Sequence, residues 1–250
     1  MILKSQIAKN IIFTAFTFLC FQKLSSQSTN HFGVFPTIDH SGTINKKLDY
    51  SFYYFGAFNL LNPKINGQAQ TANFFLFYSE QALHYNFNSK FSVTGSYVFQ
   101  RADPTEKFYT NENRFYLQTT YKSTVGRSEL KNRLRYDGRF IEDKVSNKWP
   151  YTSRVRYLFG AKIPLQKEKN NLHFLFYNEF FFNTFKSAAV TYAENWAFAG
   201  MIFKTSSCGT WEIGPLYIFW VNNPKYDLTN LLYLQLTWNT HLDFSKKKSD

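Results

Sequence analysis

Cysteine is nearly absent from the 250-residue chain: Cys20 and Cys208 are the only two. Cys20 falls in an apolar N-terminal run, so Cys208 is left alone, with no internal disulfide to make and no zinc-ligand spacing around it. Proline and glycine are sparse, at 7 and 11, which excludes collagen-like and linker-type chains. After the N-terminus, no run approaches the ~18–20 apolar residues that a spanning helix needs. With a mean hydropathy of −0.37, a bundle of membrane helices is excluded. Acids are outnumbered, 17 Asp+Glu against 29 Lys+Arg, giving a formal charge of +12. HExxH, GxSxG and phosphate-loop motifs are missing, and no cofactor or metal is expected. Aromatic residues are plentiful: 29 Phe, 17 Tyr and 5 Trp, far too many for a disordered chain.

Residues 1–26 read as a secretory signal. Lys4 and Lys9 supply a positive start, and Ile11 to Phe21 (IIFTAFTFLCF) supply an apolar core too short for a membrane anchor. Leu24 and Ser26 precede a cut that leaves Gln27 first. The residue before Cys20 is Leu19, where lipidation wants a small side chain. Losing Lys4, Lys9 and Lys23 lowers the formal charge from +12 to +9.

From about residue 46 onward a period of two governs the chain. In SELKNRLRYDGRFI, Leu130, Leu134, Tyr136 and Phe140 share one face, and Lys131, Arg133, Arg135, Asp137 and Arg139 share the other. A helix would scatter these charges; a strand aligns them. Phe115, Leu117, Thr119 and Tyr121 likewise oppose Glu112, Arg114, Tyr116, Gln118 and Thr120, and Val155, Tyr157 and Phe159 oppose Arg154, Arg156 and Lys162. Ten strands are expected, near 46–59, 71–85, 91–101, 111–122, 128–141, 151–163, 171–183, 192–204, 209–221 and 229–244. They are longer than the five or six residues usual in globular sheets and match the roughly nine to eleven needed to cross a bilayer at a tilt. Longer and shorter connections tend to alternate, as outer loops and periplasmic turns do in outer-membrane barrels, PLQKEKN being long for a turn.

The expected architecture is therefore an all-β, antiparallel up-and-down transmembrane barrel of about ten strands. Residues 27–45 form an N-terminal segment, 46–244 the barrel and 245–250 a basic tail. Residues 31–42 (HFGVFPTIDHSG) are read as a further short strand or a segment tucked against the barrel, and twelve strands is the alternative count. A soluble lipocalin-type barrel has the same alternation with its faces inverted. Strand length, the export signal and the aromatic load favour the membrane form, where Tyr, Trp and Phe build interfacial girdles. Trp238, Thr240, Leu242 and Phe244 alternate toward the C-terminus like a segment read by the barrel-assembly machinery, although Lys246, Lys247 and Lys248 follow.

Several segments together resemble an uncharacterised domain-of-unknown-function family of small outer-membrane-type β-barrels from Gram-negative bacteria. They are ENRFYLQTTYK, KNRLRYDGRF, SRVRYLFGAKIPL, FYNEFFFN with Glu179, AENWAFAGMIFK, WEIGPLYIF and NLLYLQLTWN. The resemblance implies the fold and an outer-membrane location. It transfers no mechanism, since such a family has no assigned activity. Such families commonly carry another basic residue near Trp196; this chain does not.

The charged faces predict a lumen network of Glu112, Arg114, Lys131, Arg133, Arg135, Asp137, Arg139, Arg154, Arg156, Glu179, Glu194 and Glu212. Because a narrow barrel has little room and buried charges need partners, a plug of ion pairs is favoured over an anion-attracting pore. Glu179 is expected within reach of Arg154 or Arg156. The five histidines, His31, His40, His84, His173 and His241, sit in no catalytic motif. The expected role is structural, or that of a narrow plugged pore, and non-enzymatic. The alternatives are a secreted lipocalin-like binder of small ligands and an outer-membrane lipid-modifying enzyme. The expected partners are outer-membrane lipid, lipopolysaccharide and, during biogenesis, the assembly machinery. Nucleic acid is not among them, because the basic residues stand at strand spacing among aromatics. A monomer is expected.

Overall fold

The computed structural model describes residues 28–61, 64–65, 68–69, 71–166, 171–184, 191–206, 209–223 and 227–245. The expected leader at 1–26 and the basic residues 246–250 lie outside the described residues. Strands form where apolar and polar side chains alternate without a helical stripe. They are β1 (Ser28–Thr43), β2 (Leu48–Leu61), β3 (Lys64–Ile65), β4 (Gln68–Ala69), β5 (Asn73–Asn86), β6 (Phe91–Ala102), β7 (Thr110–Val125), β8 (Ser128–Ile141), β9 (Tyr151–Pro164), β10 (Leu172–Asn183), β11 (Thr191–Ser206), β12 (Gly209–Asn223) and β13 (Asp227–Asp243). β3 and β4 make a two-residue ribbon between β2 and β5. The other eleven close into one barrel in the order β1-β13-β12-β11-β10-β9-β8-β7-β6-β5-β2.

The ten expected strands correspond to β2 and β5–β13. The count is corrected to eleven, because 31–42 is neither a short strand nor a tucked segment. It lies within a 16-residue barrel strand, β1. An odd number of up-and-down strands cannot close antiparallel, so β1 pairs with β13 in parallel, in unbroken register from Ser28↔Leu228 to Thr43↔Asp243. Its other edge pairs antiparallel with β2. That ladder pauses at Pro36, between the pairs Val34↔Phe58 and Thr37↔Phe55, where proline has no N–H to give. It also bulges between Phe32 and Gly33, where a Cβ would lie 1.9 Å from the Phe58 carbonyl oxygen.

Two mouths result. At one, the connections are 44–47, 87–90, 126–127, 165–171 and 207–208; at the other they are 62–72, 103–109, 142–150, 184–190 and 224–226. The tightest described turn, Gly126-Arg127, has Gly126 at φ 62, the positive angle that a primed hairpin turn asks of its first residue. The added strand also corrects the polarity: residue 28 opens at the long-loop mouth and residue 243 closes at the short-turn mouth. Ten strands would have put both ends on the short-turn side.

Inward positions split into two halves. Phe35, Phe55, Ala57, Leu76, Tyr78, Val98, Phe198, Leu216, Ile218, Leu231 and Tyr233 form a buried apolar cluster along β1, β2, β5, β6 and β11–β13. Phe35 stacks on Phe55 at 4.3 Å and Phe55 on Tyr78 at 4.6 Å, with Trp196 edge-on to both phenylalanines. The remaining wall is charged. Outward positions carry large apolar side chains open to the surroundings, among them Leu83, Phe115, Leu117, Leu134, Tyr136 and Leu234.

Candidate functional site

The charged wall is built by three neighbouring strands. β7 contributes Arg114; β8 contributes Lys131, Arg133, Arg135 and Arg139; β9 contributes Arg154, Arg156 and Lys162. Each set stands at period two, so every member points into the barrel. The register sets Arg114 beside Arg139 and Arg135 beside Arg156, pairs of like charge that need carboxylates between them.

Those carboxylates are present. Glu112 takes Arg139 in a two-pronged contact (Nε to Oε1 and Nη2 to Oε2, both 2.7 Å) and also accepts Arg114 Nη2 at 2.7 Å. Asp137, fully buried, accepts Arg154 Nε at 2.8 Å, with Arg156 Nη1 at 3.7 Å and Arg114 Nη1 at 4.0 Å. Glu179 accepts Arg156 through both oxygens, at 2.8 and 2.9 Å, and Arg133 Nη2 at 2.7 Å. Glu194 accepts Arg154 Nη1 at 3.1 Å and the Trp196 indole N–H at 3.1 Å. Two-pronged guanidinium–carboxylate contacts fix orientation as well as charge. Phe181 lies under the pair, 4.3 Å from the Arg156 guanidinium and 4.9 Å from that of Arg154.

Sequence reasoning missed the acid that serves Arg135. Glu80 of β5 lies 3.6 Å from Arg135 Nη1 and accepts the hydroxyls of Tyr78 and Tyr116, both at 2.6 Å. Arg135 also donates to Gln118 at 2.8 Å and stacks on the Tyr116 ring at 3.7 Å. The signal was available: Glu80 is a single acid in the otherwise uncharged strand NFFLFYSEQALHYN. Two expected members stand apart from the network. Lys131 makes no contact ion pair among the described residues, and Glu212 accepts the Gln235 amide at 3.0 Å rather than an arginine.

The network occupies the half of the lumen toward the long loops, yet the interior is not filled. A cavity of about 690 Å³ runs along it, lined from Arg139 and Glu194 down to Lys162 and Glu129. Eleven strands enclose more width than the eight that side chains alone can fill. Around this cavity, the eight cations named above face eight acids. Glu112, Glu129 and Asp137 stand among them, and Asp39, Glu80, Glu179, Glu194 and Glu212 come from strands outside that wall. The lining is thus formally balanced and segregated in space. That balance removes the net positive charge on which anion attraction would depend.

His84 lies lower in the cavity wall, 2.8 Å from Ser51 Oγ and 2.8 Å from Thr94 Oγ1. Both ring nitrogens thus meet hydroxyls, with no carboxylate to orient the ring as a nucleophile's base requires. The residues around it on β2, β5 and β6 are paired in the ladder. No group of three or more His, Cys, Asp or Glu among the described residues is placed to hold a metal ion.

A family model described as "Protein of unknown function (DUF2490)" matches residues 33–229, from β1 into β13. Among curated proteins, none matches the chain.

Proposed function

The chain belongs to this family of proteins of unknown function, DUF2490, and on that premise we propose that it is an exported outer-membrane barrel with a structural role. Its lumen is narrowed and braced by the arginine–carboxylate network. One observation carries the reading: the direction in which the two faces point. The charged residues of the network point inward beside the apolar cluster, and the outward face carries large apolar side chains where a soluble barrel would carry charges. Outward positions of β7–β10 and β13 between residues 115 and 121, 130 and 140, 155 and 163, 174 and 182, and 232 and 238 hold no Asp, Glu, Lys or Arg. Several outward polar groups on these strands and their neighbours are satisfied by one another. Tyr97 donates to Asn113 at 2.6 Å, Tyr157 to Asn132 at 2.8 Å, and Asn195 to Asn178. Such pairing is what hydrocarbon demands of a polar side chain. Secretion as a lipocalin-like binder would leave Phe115, Leu117 and Leu134 in water.

Fractionation of cells, with gel migration of the unboiled against the boiled protein, tests the location. Recovery in the outer membrane with a heat-modifiable band supports it; a soluble periplasmic monomer overturns it. Planar-bilayer recording tests the braced lumen. Silence, or brief small openings without ion preference, is expected, and a large steady anion-selective conductance would replace the brace with an open pore.

A further inference from the structure

Below the network, the cavity carries charges of a different kind. Those above are closed by contacts of 2.7–3.1 Å. Asp39 and Lys131 line the same cavity, yet neither makes an ion pair or a side-chain hydrogen bond among the described residues. They stand on opposite walls, since β1 and β8 are five or six strands apart in the ring of eleven whichever way it is followed.

They also stand at one height. The register from Asp39 through Tyr53, Glu80, Val98 and Arg114 arrives on β8 at Arg139. Taken the other way, through Asn239, Thr210 and Lys204, it reaches the turn Asn171 and leaves the sheet at the short-turn mouth, before β8 begins. Because strands tilt in a barrel, the level point on β8 lies midway between these limits, between Arg133 and Lys131. Glu212 lies on the Asp39 side of this belt, two strands from β1. Tyr53 lines it with a hydroxyl that bonds no described residue.

We propose that this belt is a binding site for a small zwitterion, a molecule carrying an ammonium and a carboxylate at its two ends. Lys131 holds the carboxylate. Asp39 and Glu212 hold the ammonium, and the molecule lies across the lumen. A lone anion at Lys131 would face two carboxylates across the cavity, and a lone cation at Asp39 would face Lys131. A molecule bearing both charges satisfies both walls and leaves the balanced lining unchanged. An unpaired charge in a confined interior is costly, and a ligand that completes the pairs removes that cost. Lys162 flanks the carboxylate end, with Glu129, exposed at the mouth, as its registered neighbour. This inference concerns the lumen alone and does not depend on where the barrel resides.

The test uses the full barrel purified in detergent, its fold checked by heat-modifiable migration. Trp196 and Trp220 line the cavity and report binding by fluorescence, with calorimetry as the second readout. The probes are glycine, 4-aminobutyrate and 6-aminohexanoate, set against butyrate, hexanoate, butylamine and hexylamine. At least one zwitterion is expected to bind about tenfold or more tightly than both of its singly charged analogues. Lys131→Met should cut that affinity about tenfold while sparing the amines, and Asp39→Asn should do so while sparing the acids. Lys131→Gln and Glu212→Gln, which remove the charge and keep a polar side chain, serve if either variant fails to fold. Equal affinity for zwitterions and single charges, no saturable binding of any probe, or folded variants that bind undiminished would each overturn the proposal.

Discussion

Glu179 is 3% exposed and holds two guanidinium groups at once, Arg156 by both oxygens and Arg133 by one. Glu179→Gln keeps the shape and removes the charge, stranding two cations in a confined interior. Removing one partner of a buried pair costs about 3–5 kcal/mol. The expected outcome is a lowered unfolding midpoint in detergent, read by circular dichroism, while Glu129→Gln at the exposed mouth leaves the midpoint in place. The loop after β8 offers a pH-dependent counterpart outside the strands. Asp143 accepts the Ser146 hydroxyl at 2.6 Å, the Val145 N–H at 3.0 Å and the Ser146 N–H at 3.4 Å, and these donors hold its carboxyl below the ordinary range. Because the folded value is depressed, the turn is fully held above the unfolded Asp value and released as pH falls through the folded one. Amide exchange at Val145 and Ser146 should therefore quicken on acidification, and Asp143→Ala should show the fast exchange at every pH. At this scale the sequence was readable where charges repeat along one strand, as Arg133, Arg135 and Arg139 do. It marked Glu80 as a single acid in an uncharged strand but was opaque for what that acid serves, because Arg135 and Tyr116 lie on strands remote in sequence, and it was opaque for Asp39, whose strand carries turn signals. Spacing along a chain carries no record of what faces a side chain across a closed sheet.

Among the elements, β1 is the one that closes the ring. With residues 28–43 removed, β2 and β13 become free edges with unpaired backbone groups, which invite association between copies before the ten remaining strands can re-close as a narrower barrel. The expected result is aggregation with no heat-modifiable band, read by the same gel assay. Supplying the excised strand as a peptide during refolding should restore part of the band. The ten other strands were legible because each alternates cleanly over about ten residues or more. β1 was ambiguous because Gly33, Pro36 and Gly42 read as turn signals. In a flat sheet an interior proline would argue against a strand. Here the ladder omits the pairs at Phe35 and Pro36 and resumes at Thr37. The parallel pairing to β13 was beyond sequence patterning altogether, since it follows from the parity of the strand count.

For the whole molecule, parity decides where the ends go. Residue 28 lies at the long-loop mouth and residue 243 at the short-turn mouth. If the long loops face outward, as they do in bacterial outer-membrane barrels, the two ends lie on opposite sides of the membrane. An epitope inserted just before residue 28, after the leader, should be labelled by antibody on intact cells. One placed after residue 245 should be labelled only once the outer membrane is permeabilised. Labelling of both, or of the second alone, on intact cells would reverse or abolish this orientation.

Parallel closure has a further consequence for cutting and rejoining the chain. In an even-stranded antiparallel barrel the first and last strands are adjacent and end at one mouth, so a few residues can join the termini and new ends can be opened at any turn. Here β1 and β13 are adjacent but end a full strand length apart. A linker joining 243 to 28 would have to travel back along the whole of β1, 16 residues of extended chain, roughly 50 Å at 3.2–3.4 Å per residue. It would lie across the apolar outside or thread the lumen past the ion pairs. Circular permutation, readily imagined for barrels of this size, is thus closed to this one unless a strand is added or taken away.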